Sequence, residues 1–184
     1  MWAKVEGASI TEIINRPKSL TIGDVQYPHN IFGLWSASEL EAIGIYEITI
    51  DYTNLKDKDY YNNTDITYAF SSGAATGSYG TATAKDLADL KTLKKETTNR
   101  QANSLLHTYD WYTLREASGG TAAPSAVTTY QAAVRTKANS MCTQIDGAAD
   151  VDALAALFTY THTDPSDLSS PQTRPLGEWP SEPS

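Results

Sequence analysis

Histidine, cysteine and acidic side chains are the groups most able to do chemistry, and this chain spreads them out. Cys142 is the only cysteine, and the three histidines are far apart in the sequence: His29, His107 and His162. This arrangement lacks the ligand spacing of a zinc site and offers no cysteine–histidine pair for nucleophilic catalysis. Two acidic pairs, Asp57–Asp59 and Asp164–Asp167, lack the glycine and the terminal glutamate of a calcium loop. We therefore predict no catalytic residue, no cofactor and no metal site, and a protein that is not an enzyme.

Phosphate and nucleic-acid binding are also disfavoured. The glycines of residues 71–83, SSGAATGSYGTAT, are not followed by the lysine of a phosphate-binding loop. Fourteen Lys and Arg stand against 22 Asp and Glu, a formal net charge of −8, whereas nucleic-acid binding needs a clustered basic face. One basic cluster is interrupted by Glu96, and we interpret it as the solvated face of a helix: Lys91, Lys94, Lys95 and Arg100.

Disulfide bonding and membrane insertion are not expected. A single cysteine excludes an internal disulfide, and folding in a reducing cytosol is compatible with that. We interpret Cys142 as a small buried hydrophobe rather than a nucleophile. No run approaches the roughly 18 apolar residues of a membrane helix, and the first ten residues lack the apolar core of a signal peptide. We expect a soluble protein with no membrane insertion and no ordinary export signal.

The elements that position these side chains differ between two halves of the chain. In residues 1–83, short stretches rich in β-branched and aromatic side chains are separated by turn residues, which predicts a small antiparallel β-rich domain. Three hairpins are expected there: Trp2–Ile14 around a Gly-Ala turn, residues 19–28 around a Gly-Asp turn, and residues 60–70 around Asn62–Asp65.

One short helix and one long strand interrupt this series of hairpins. Ser36 and Glu39 are spaced as a capping box, which predicts a brief helix over about residues 36–43. The stretch IYEITIDY, residues 45–52, alternates polar and apolar side chains and is the clearest strand. Residues 71–83 fit either a loose last strand or a loop, and we favour a strand around Gly77–Thr81.

The pattern changes at Ala84, which we predict to be the domain boundary. Residues 84–107 contain no glycine or proline and favour a long helix. Leu87, Leu90 and Leu93 begin an apolar stripe that lapses in the middle of this helix. We therefore predict a solvated connector, with a spacer or an oligomer contact through polar layers as the alternatives.

A helical hairpin is predicted over Leu105–Met141. Asp110 is placed to cap its first helix, Gly119 and Gly120 stop that helix, and Pro124 marks the start of the second. An apolar stripe along the second helix recurs at steps of three and four residues over about six turns: Val127, Tyr130, Val134, Ala138, Met141 and Ile145.

A proline-rich tail follows the helices. Asp150 is placed to cap a last short helix, which completes a helical region over residues 84–158. Residues 159–184 contain five of the eight prolines and are predicted to be extended, either disordered or draped on a surface. Trp179 favours a docked end, because a lone tryptophan in a disordered tail leaves a large apolar surface in water. The chain as a whole is predicted to be α+β, with a β-rich domain, a helical region and a tail in that order.

Three short motifs mark the second half of the chain: LLHTYDW, then YTLREASGGTAAPSAVTTYQAAVR, and the ending EWPSEP. Their characteristic residues are Leu105, Leu106, Asp110 and Trp111, then Pro124, Tyr130 and Arg135, and finally Trp179, Pro180 and Pro183. Together they resemble the C-terminal part of bacteriophage tail-fibre assembly proteins and related tail assembly chaperones. In the first half, TIGDVQYPHNIFGLWSASELEAIGIYEI is similar to N-terminal modules of virion-related proteins of marine phages. Residues 142–172 depart from the family pattern, in which shorter members pass more directly from the long helix to the ending.

The resemblance implies a non-enzymatic phage protein that binds a tail fibre or tail spike, as an assembly chaperone or as a retained tip of the virion. It implies a location in the virion, or in the host cytoplasm during assembly. The alternative is a structural subunit of the virion, such as a decoration, adaptor or short fibre protein, that oligomerises through its helices. A further alternative is a receptor-binding module whose tyrosine-rich β half touches glycans. The residues expected to contact the partner are Trp111, Arg115, Tyr130, Arg135, Trp179 and Pro180.

Overall fold

A computed structural model describes residues 1–183 and divides the chain into two compact units, residues 1–83 and the part from Ala84 onward. Strands dominate the first unit and helices the second. The predicted α+β fold class is therefore confirmed.

The first unit is built on a five-stranded sheet. The strands of this unit are, in chain order, β1 Trp2–Glu6, β2 Ser9–Ile14, β3 Leu20–Ile22, β4 Val25–Tyr27, β5 Ile45–Asp51, β6 Tyr61–Asn62, β7 Ile66–Ser71, β8 Ala74–Tyr79 and β9 Thr83–Ala84. The sheet has the order β2-β1-β5-β8-β7, and β3 pairs with β4 and β6 with β9. The edge strands β2 and β7 approach each other, so the sheet is curled.

Two of the three expected hairpins are present, and the third was placed wrongly. β1–β2 and β3–β4 are antiparallel pairs around the expected turns. The predicted hairpin around Asn62–Asp65 is wrong, because β7 pairs instead with β8 around Ser72 and Gly73. These two residues have φ values of 52° and 79°, as a two-residue turn with both central residues at positive φ requires.

The prediction of a wholly antiparallel sheet is wrong. β5 and β8 run parallel, with Ile48 opposite Ala75. Alternation of side chains has a period of two whichever way the neighbouring strand runs, so the sequence pattern does not reveal strand direction. The strand favoured within residues 71–83 is present as β8, between β5 and β7 in the sheet, but it spans Ala74–Tyr79 and so begins three residues before the predicted Gly77.

Apolar side chains pack on both faces of the sheet. One cluster contains Ile14, Leu20 and Ile45 and is covered by β3, β4 and two short helices, α1 Ile31–Leu34 and α2 Ala37–Ala42. The other contains Ala3, Ile48 and Ala75. Adjacent residues of one strand fall in different clusters, because successive side chains of a strand point to opposite faces.

The predicted capping box of α2 is confirmed. The Ser36 amide donates to Glu39 Oε2 at 2.7 Å, and the Glu39 amide donates to Ser36 Oγ at 3.4 Å. The helix stops before Gly44, which has a φ of +82° and whose carbonyl accepts a bond from the Val5 amide at 2.8 Å. A Cβ at Gly44 would lie 2.8 Å from the Val5 carbonyl oxygen, so only glycine permits this approach.

The second unit consists of four helices and a short ladder. They are α3 Leu87–His107, α4 Asp110–Ala117, α5 Ser125–Gly147 and α6 Val151–Phe158, followed by β10 Thr161–His162 paired with β11 Gln172–Thr173. All six residues of the stripe predicted for α5 are buried, which confirms that prediction. Asp150 also acts as predicted, since its Oδ1 accepts a bond from the Ala153 amide at 2.7 Å.

α3 is not a solvated connector. It packs along α5, with Leu90, Thr98 and Ala102 buried. The small side chains in its middle allow the two helices to approach, and the Thr98 hydroxyl is satisfied by donating to the Lys94 carbonyl at 2.9 Å. The main antiparallel partner of α5 is therefore α3, whereas α4, the expected partner, has no buried residue.

Two predicted caps lie one position from their expected place. Tyr109 is the N-cap of α4, and Asp110 is its first residue and makes no capping hydrogen bond. Pro124 is the N-cap of α5 rather than its first residue. Both helices begin without a side-chain cap, so packing and the chain geometry decide where they start.

The basic cluster is not simply a solvated face. Lys91 Nζ donates to the Asp146 carbonyl at 2.9 Å, and Lys95 pairs with the Asp146 carboxylate at 2.7 Å. Lys94 Nζ lies 4.8 Å from the centre of the Phe158 ring. Three of its four residues thus hold α3 against the end of α5 and against α6. Their positive charge is also stabilising near a helix C-terminus.

Of the two alternatives for the extended tail, the draped one is present, and the tail also contains the β10–β11 ladder, which was not predicted. Leu176 is only 2% exposed. Its amide donates to the Leu157 carbonyl at 3.1 Å, and its carbonyl accepts a bond from Lys137 Nζ at 2.9 Å. Trp179 packs on the cluster formed by Ala102 and its neighbours, so the predicted docked end is confirmed.

Candidate functional site

The residues expected to contact a partner lie in three places of the second unit. Trp111 and Arg115 are on α4, Tyr130 and Arg135 are on α5, and Trp179 and Pro180 are in the tail. These places differ in exposure, and exposure decides which side chains are available to another molecule.

The side chains of α4 form an exposed apolar surface, which we name the α4 patch and define as Trp111, Tyr112, Leu114 and Arg115. Trp111 is 50% exposed and Leu114 67%. The Trp111 and Tyr112 ring centres are 3.7 Å apart, and the Arg115 guanidinium lies 5.0 Å from the first ring and 5.1 Å from the second. A cation over aromatic faces is attracted by the ring quadrupoles.

Arg115 also holds the loop that follows α4. Its Nε donates to the Thr121 carbonyl at 2.9 Å and its Nη2 to the Ala122 carbonyl at 3.2 Å. On the same side of the loop, the Ala123 amide donates to the Glu116 carboxylate at 3.2 Å. The Arg115 guanidinium thus contacts both the aromatic rings and two carbonyls of the loop, and these contacts pre-organise the α4 patch.

Tyr130 lies in the core rather than at the surface. It is 4% exposed and packs with Ala102, Val134 and Ala138, and its ring centre is 5.3 Å from that of Tyr109. Within residues 1–183, neither its hydroxyl nor the Nε2 of buried Gln131 has a hydrogen-bond partner.

Burial raises the pKa of Tyr130 above its ordinary value of 10.0, and the nearby carboxylate of Glu182 adds to the effect. Desolvation and a neighbouring negative charge both disfavour the phenolate. Tyr130 therefore remains neutral at physiological pH, as a packing residue rather than a base.

The tail residues cover the same cluster. Trp179 is half-buried against it, and its Nε1 donates to Gln101 Oε1 at 3.4 Å. Pro180 lines an open cavity of about 450 Å³ with Tyr130 and Ser125. The structure thus brings Tyr130, Trp179 and Pro180 together and leaves Arg135 exposed on α5, outside the apolar stripe.

His162 and Cys142, two of the side chains considered for catalysis, are held in structural contacts. His162 Nδ1 is 2.9 Å from the Ser170 carbonyl, and its Nε2 is 3.0 Å from Gln172 Nε2, so the ring links the two sides of the β10–β11 ladder. Cys142 is half-buried, and its Sγ donates to Asn99 Oδ1 at 3.7 Å. Burial raises the pKa of the Cys142 thiol above 9.0, which keeps it in the less nucleophilic protonated form.

Two absences apply to the part of the chain that the structure describes. Across residues 1–183, no group of three His, Cys, Asp or Glu side chains is placed to hold a metal ion. None of the helices there combines the length and the apolar character needed to cross a bilayer.

Of the four residues of the α4 patch, Trp111 and Arg115 are predicted from the sequence as contact residues, and Tyr112 and Leu114 are not. Leu114 is three residues after Trp111, so both lie on one side of a helix, and that spacing was a usable signal. The burial of Leu176 is not predicted from the sequence, because the neighbouring Pro175 and Gly177 are typical of a loop.

Comparison of the chain with protein-family models, with curated proteins and with solved structures finds no match in any of the three. The geometry of the α4 patch and the resemblance of the sequence motifs are therefore what a functional proposal can draw on.

Proposed function

We propose that this chain is a non-enzymatic, protein-binding component of a bacteriophage particle or of its assembly, with the α4 patch as its contact surface. The observation that carries the proposal is that α4 has no buried residue and yet exposes a tryptophan and a leucine. A helix of eight residues is marginal in water without burial of an apolar face. Covering by a partner would supply that burial.

The composition of the patch suits a protein partner. Trp, Tyr and Arg are the residues most enriched among those that dominate protein–protein binding energy. Here all three occur on one short helix, and their rings and guanidinium are already stacked. A side chain fixed before binding loses less conformational entropy on association.

The patch differs from the surface that the motifs alone indicated. Tyr130 and Trp179 pack inside the second unit, so we assign them the role of holding the tail and the helices together. Trp111 and Arg115 remain as contact residues, Leu114 joins them, and we assign no direct role to Arg135. Pro180 lies at the open cavity and is a secondary candidate.

A phage tail fibre or tail spike is the partner we propose, on the strength of the motifs shared with tail-fibre assembly proteins. The acidic charge, with 22 Asp and Glu against 14 Lys and Arg, favours a protein over a nucleic acid as the partner. The sites of action would be the host cytoplasm during assembly and, for a retained component, the virion.

The test is co-purification with the tail-fibre or tail-spike protein of the same phage. Trp111→Ser with Leu114→Ser removes the apolar part of the patch, and should weaken binding by at least about 30-fold, as expected for loss of dominant contacts. Leu168→Ser is the matched control, because Leu168 is 79% exposed elsewhere in the second unit. Undiminished binding of the double variant, with an unchanged circular dichroism spectrum, would refute the proposal.

The second candidate is a stable structural subunit of the virion that oligomerises through its helices. Leu93 favours it, because this apolar side chain of α3 is 55% exposed. Mass spectrometry of purified particles separates the two candidates. A subunit is present at a fixed copy number, whereas an assembly chaperone that leaves is absent.

A further inference from the structure

We infer that the first unit carries a binding pocket for an organic cation, formed by the rings of Trp2, Phe32 and Trp35 beside the carboxylate of Glu47. These four side chains line a cavity of about 230 Å³, which Ala37, Leu40 and Ile45 complete. The pocket lies wholly within residues 1–83, so the inference is independent of the α4 patch and of the partner proposed for it.

The pocket is assembled from separate elements that hold its walls in place. Trp2 of β1 is directly opposite Glu47 of β5 in the strand register, and residues opposite each other project from the same face of a sheet. Phe32 belongs to α1, and its ring centre is 4.7 Å from that of Trp2 at an interplanar angle of 53°. The Trp35 ring is held edge-on by Tyr27, with centres 5.7 Å apart and planes at 84°.

The aromatic walls are only partly covered by the protein itself. Phe32 is buried, but Trp2 and Trp35 are half-buried and Glu47 is exposed at the rim. Two half-buried tryptophans around a cavity leave ring surface for a ligand.

The charges at the pocket select a cation. No lysine or arginine lines the cavity, and in the part of the chain that the structure describes Glu47 forms no salt bridge. Residues 1–83 contain ten Asp and Glu against five Lys and Arg. At the start of α2 the Glu39 carboxylate accepts bonds from the Ser36 amide and hydroxyl, so a negative charge already lies there and disfavours an anion.

Ring faces and one carboxylate are the chemistry that recognises ammonium groups. A cation within about 6 Å of a ring centre is attracted by the ring quadrupole, with tryptophan the strongest, and quaternary ammonium ligands are bound in this way. A sugar would need several fixed donors and acceptors, whereas Glu47 is the one charged side chain and the one side-chain acceptor among the lining residues, beside the indole N–H donors of Trp2 and Trp35.

The size of the cavity restricts the ligand further. Pockets that enclose a whole drug-sized molecule usually have about 300 to 1,000 Å³, and this one is smaller. It fits one side-chain-sized head group, which is a trimethylammonium group or the ammonium end of a lysine. The source is either a small molecule or a peptide, and both present the same chemistry.

The test uses the full chain labelled with ¹⁵N and titrations followed by NMR at the indole N–H signals of the tryptophans. The probes are choline, its neutral isostere 3,3-dimethylbutanol, N-acetyl-trimethyllysine amide and maltose. Choline or the trimethyllysine probe should shift the Trp2 and Trp35 signals and bind roughly 3- to 30-fold more tightly than the isostere, the range expected for a cation–ring contribution. Preference between the two cationic probes identifies the source.

Two variants locate the effect. Glu47→Gln removes the charge at an exposed position and should weaken choline binding without affecting the isostere, while Glu41→Gln, exposed on α2 outside the cavity, should leave both unchanged. Trp35→Leu keeps an apolar side chain but removes the ring, and should abolish the preference for the cation. Equal binding of choline and the isostere, or shifts produced by maltose alone, would overturn the inference.

Discussion

Replacing Tyr130 with phenylalanine is expected to make the second unit more stable, although most substitutions at buried positions destabilise a protein by about 1 kcal/mol. The reason is the hydroxyl, which is buried without a hydrogen-bond partner in the described residues. In the unfolded chain the same hydroxyl is hydrated, so folding loses its bonds to water and gains none in return.

The magnitude follows from that imbalance. A buried polar group without a partner costs about 1 to 3 kcal/mol. Phenylalanine keeps the ring, and with it the packing on Ala102 and the contact with Tyr109 at 5.3 Å, but it leaves a small void where the oxygen was. We therefore expect a gain near the lower limit, about 1 kcal/mol.

Urea unfolding followed by circular dichroism at the helical band measures this change, because the long helices belong to the second unit. With a urea dependence of about 1 to 3 kcal/mol per M for small proteins, the midpoint should rise by roughly 0.3 to 1 M. The control is Tyr160→Phe, since the Tyr160 side chain is 45% exposed and so its hydroxyl is not buried as that of Tyr130 is. That variant should not be stabilised. A loss of about 1 kcal/mol or more in Tyr130→Phe would mean that the hydroxyl has a partner, and the reasoning would be wrong.

Three further predictions concern the same unit. Leu176→Ala should lower the unfolding free energy by about 2 to 5 kcal/mol because it leaves a cavity in the core. Leu168→Ala, at a site that is 79% exposed, should change the unfolding free energy little. Equal effects of the two substitutions in urea unfolding would contradict the docking of the tail. Asp150→Ala should cost about 1 kcal/mol by removing a helix cap, and Asp150→Asn, which can still accept the bond, should restore most of it. Burial raises the pKa of Tyr130 in the folded state, so the unfolding free energy has its full value below the ordinary tyrosine pKa of 10.0 and falls as pH rises above it. The urea midpoint should therefore decrease less between about pH 9 and about pH 11 in Tyr130→Phe than in the natural chain.

Local signals in the sequence were sufficient for several elements. The capping box at Ser36, the cap at Asp150 and the stripe on α5 depend on residues three or four positions apart, and all three are present in the structure. The change of composition at Ala84 coincides with the division between the two units.

Long-range pairing was where sequence reasoning failed. The parallel pairing of β5 with β8 joins strands separated by the whole of β6 and β7, and alternation within one strand carries no information about the direction of its neighbour. The position of α3 along α5 depends on Thr98 and Ala102, which look too polar or too small for a core until the facing helix is known.

The same limit applied to the candidate site. Six residues are predicted to contact the partner, and the structure leaves Trp111 exposed but places Tyr130 and Trp179 in one core cluster. Tyrosine and tryptophan suit a core as well as an interface, so residue type does not separate the two roles. The proposed phage function remains a prediction on these grounds.

The sequence by itself determined which segments form the longer helices and the first two hairpins and which side of α5 is apolar, because caps, turns and periodicity act over a few neighbouring residues. Only the tertiary structure decided what covers each apolar side. Trp179 reaches Gln101 across 78 positions of the chain, whereas α4, which follows α3 directly in the sequence, has no buried side chain in the described residues. The physical reason is that burial is a property of two surfaces together, and a pattern along one segment describes only one of them.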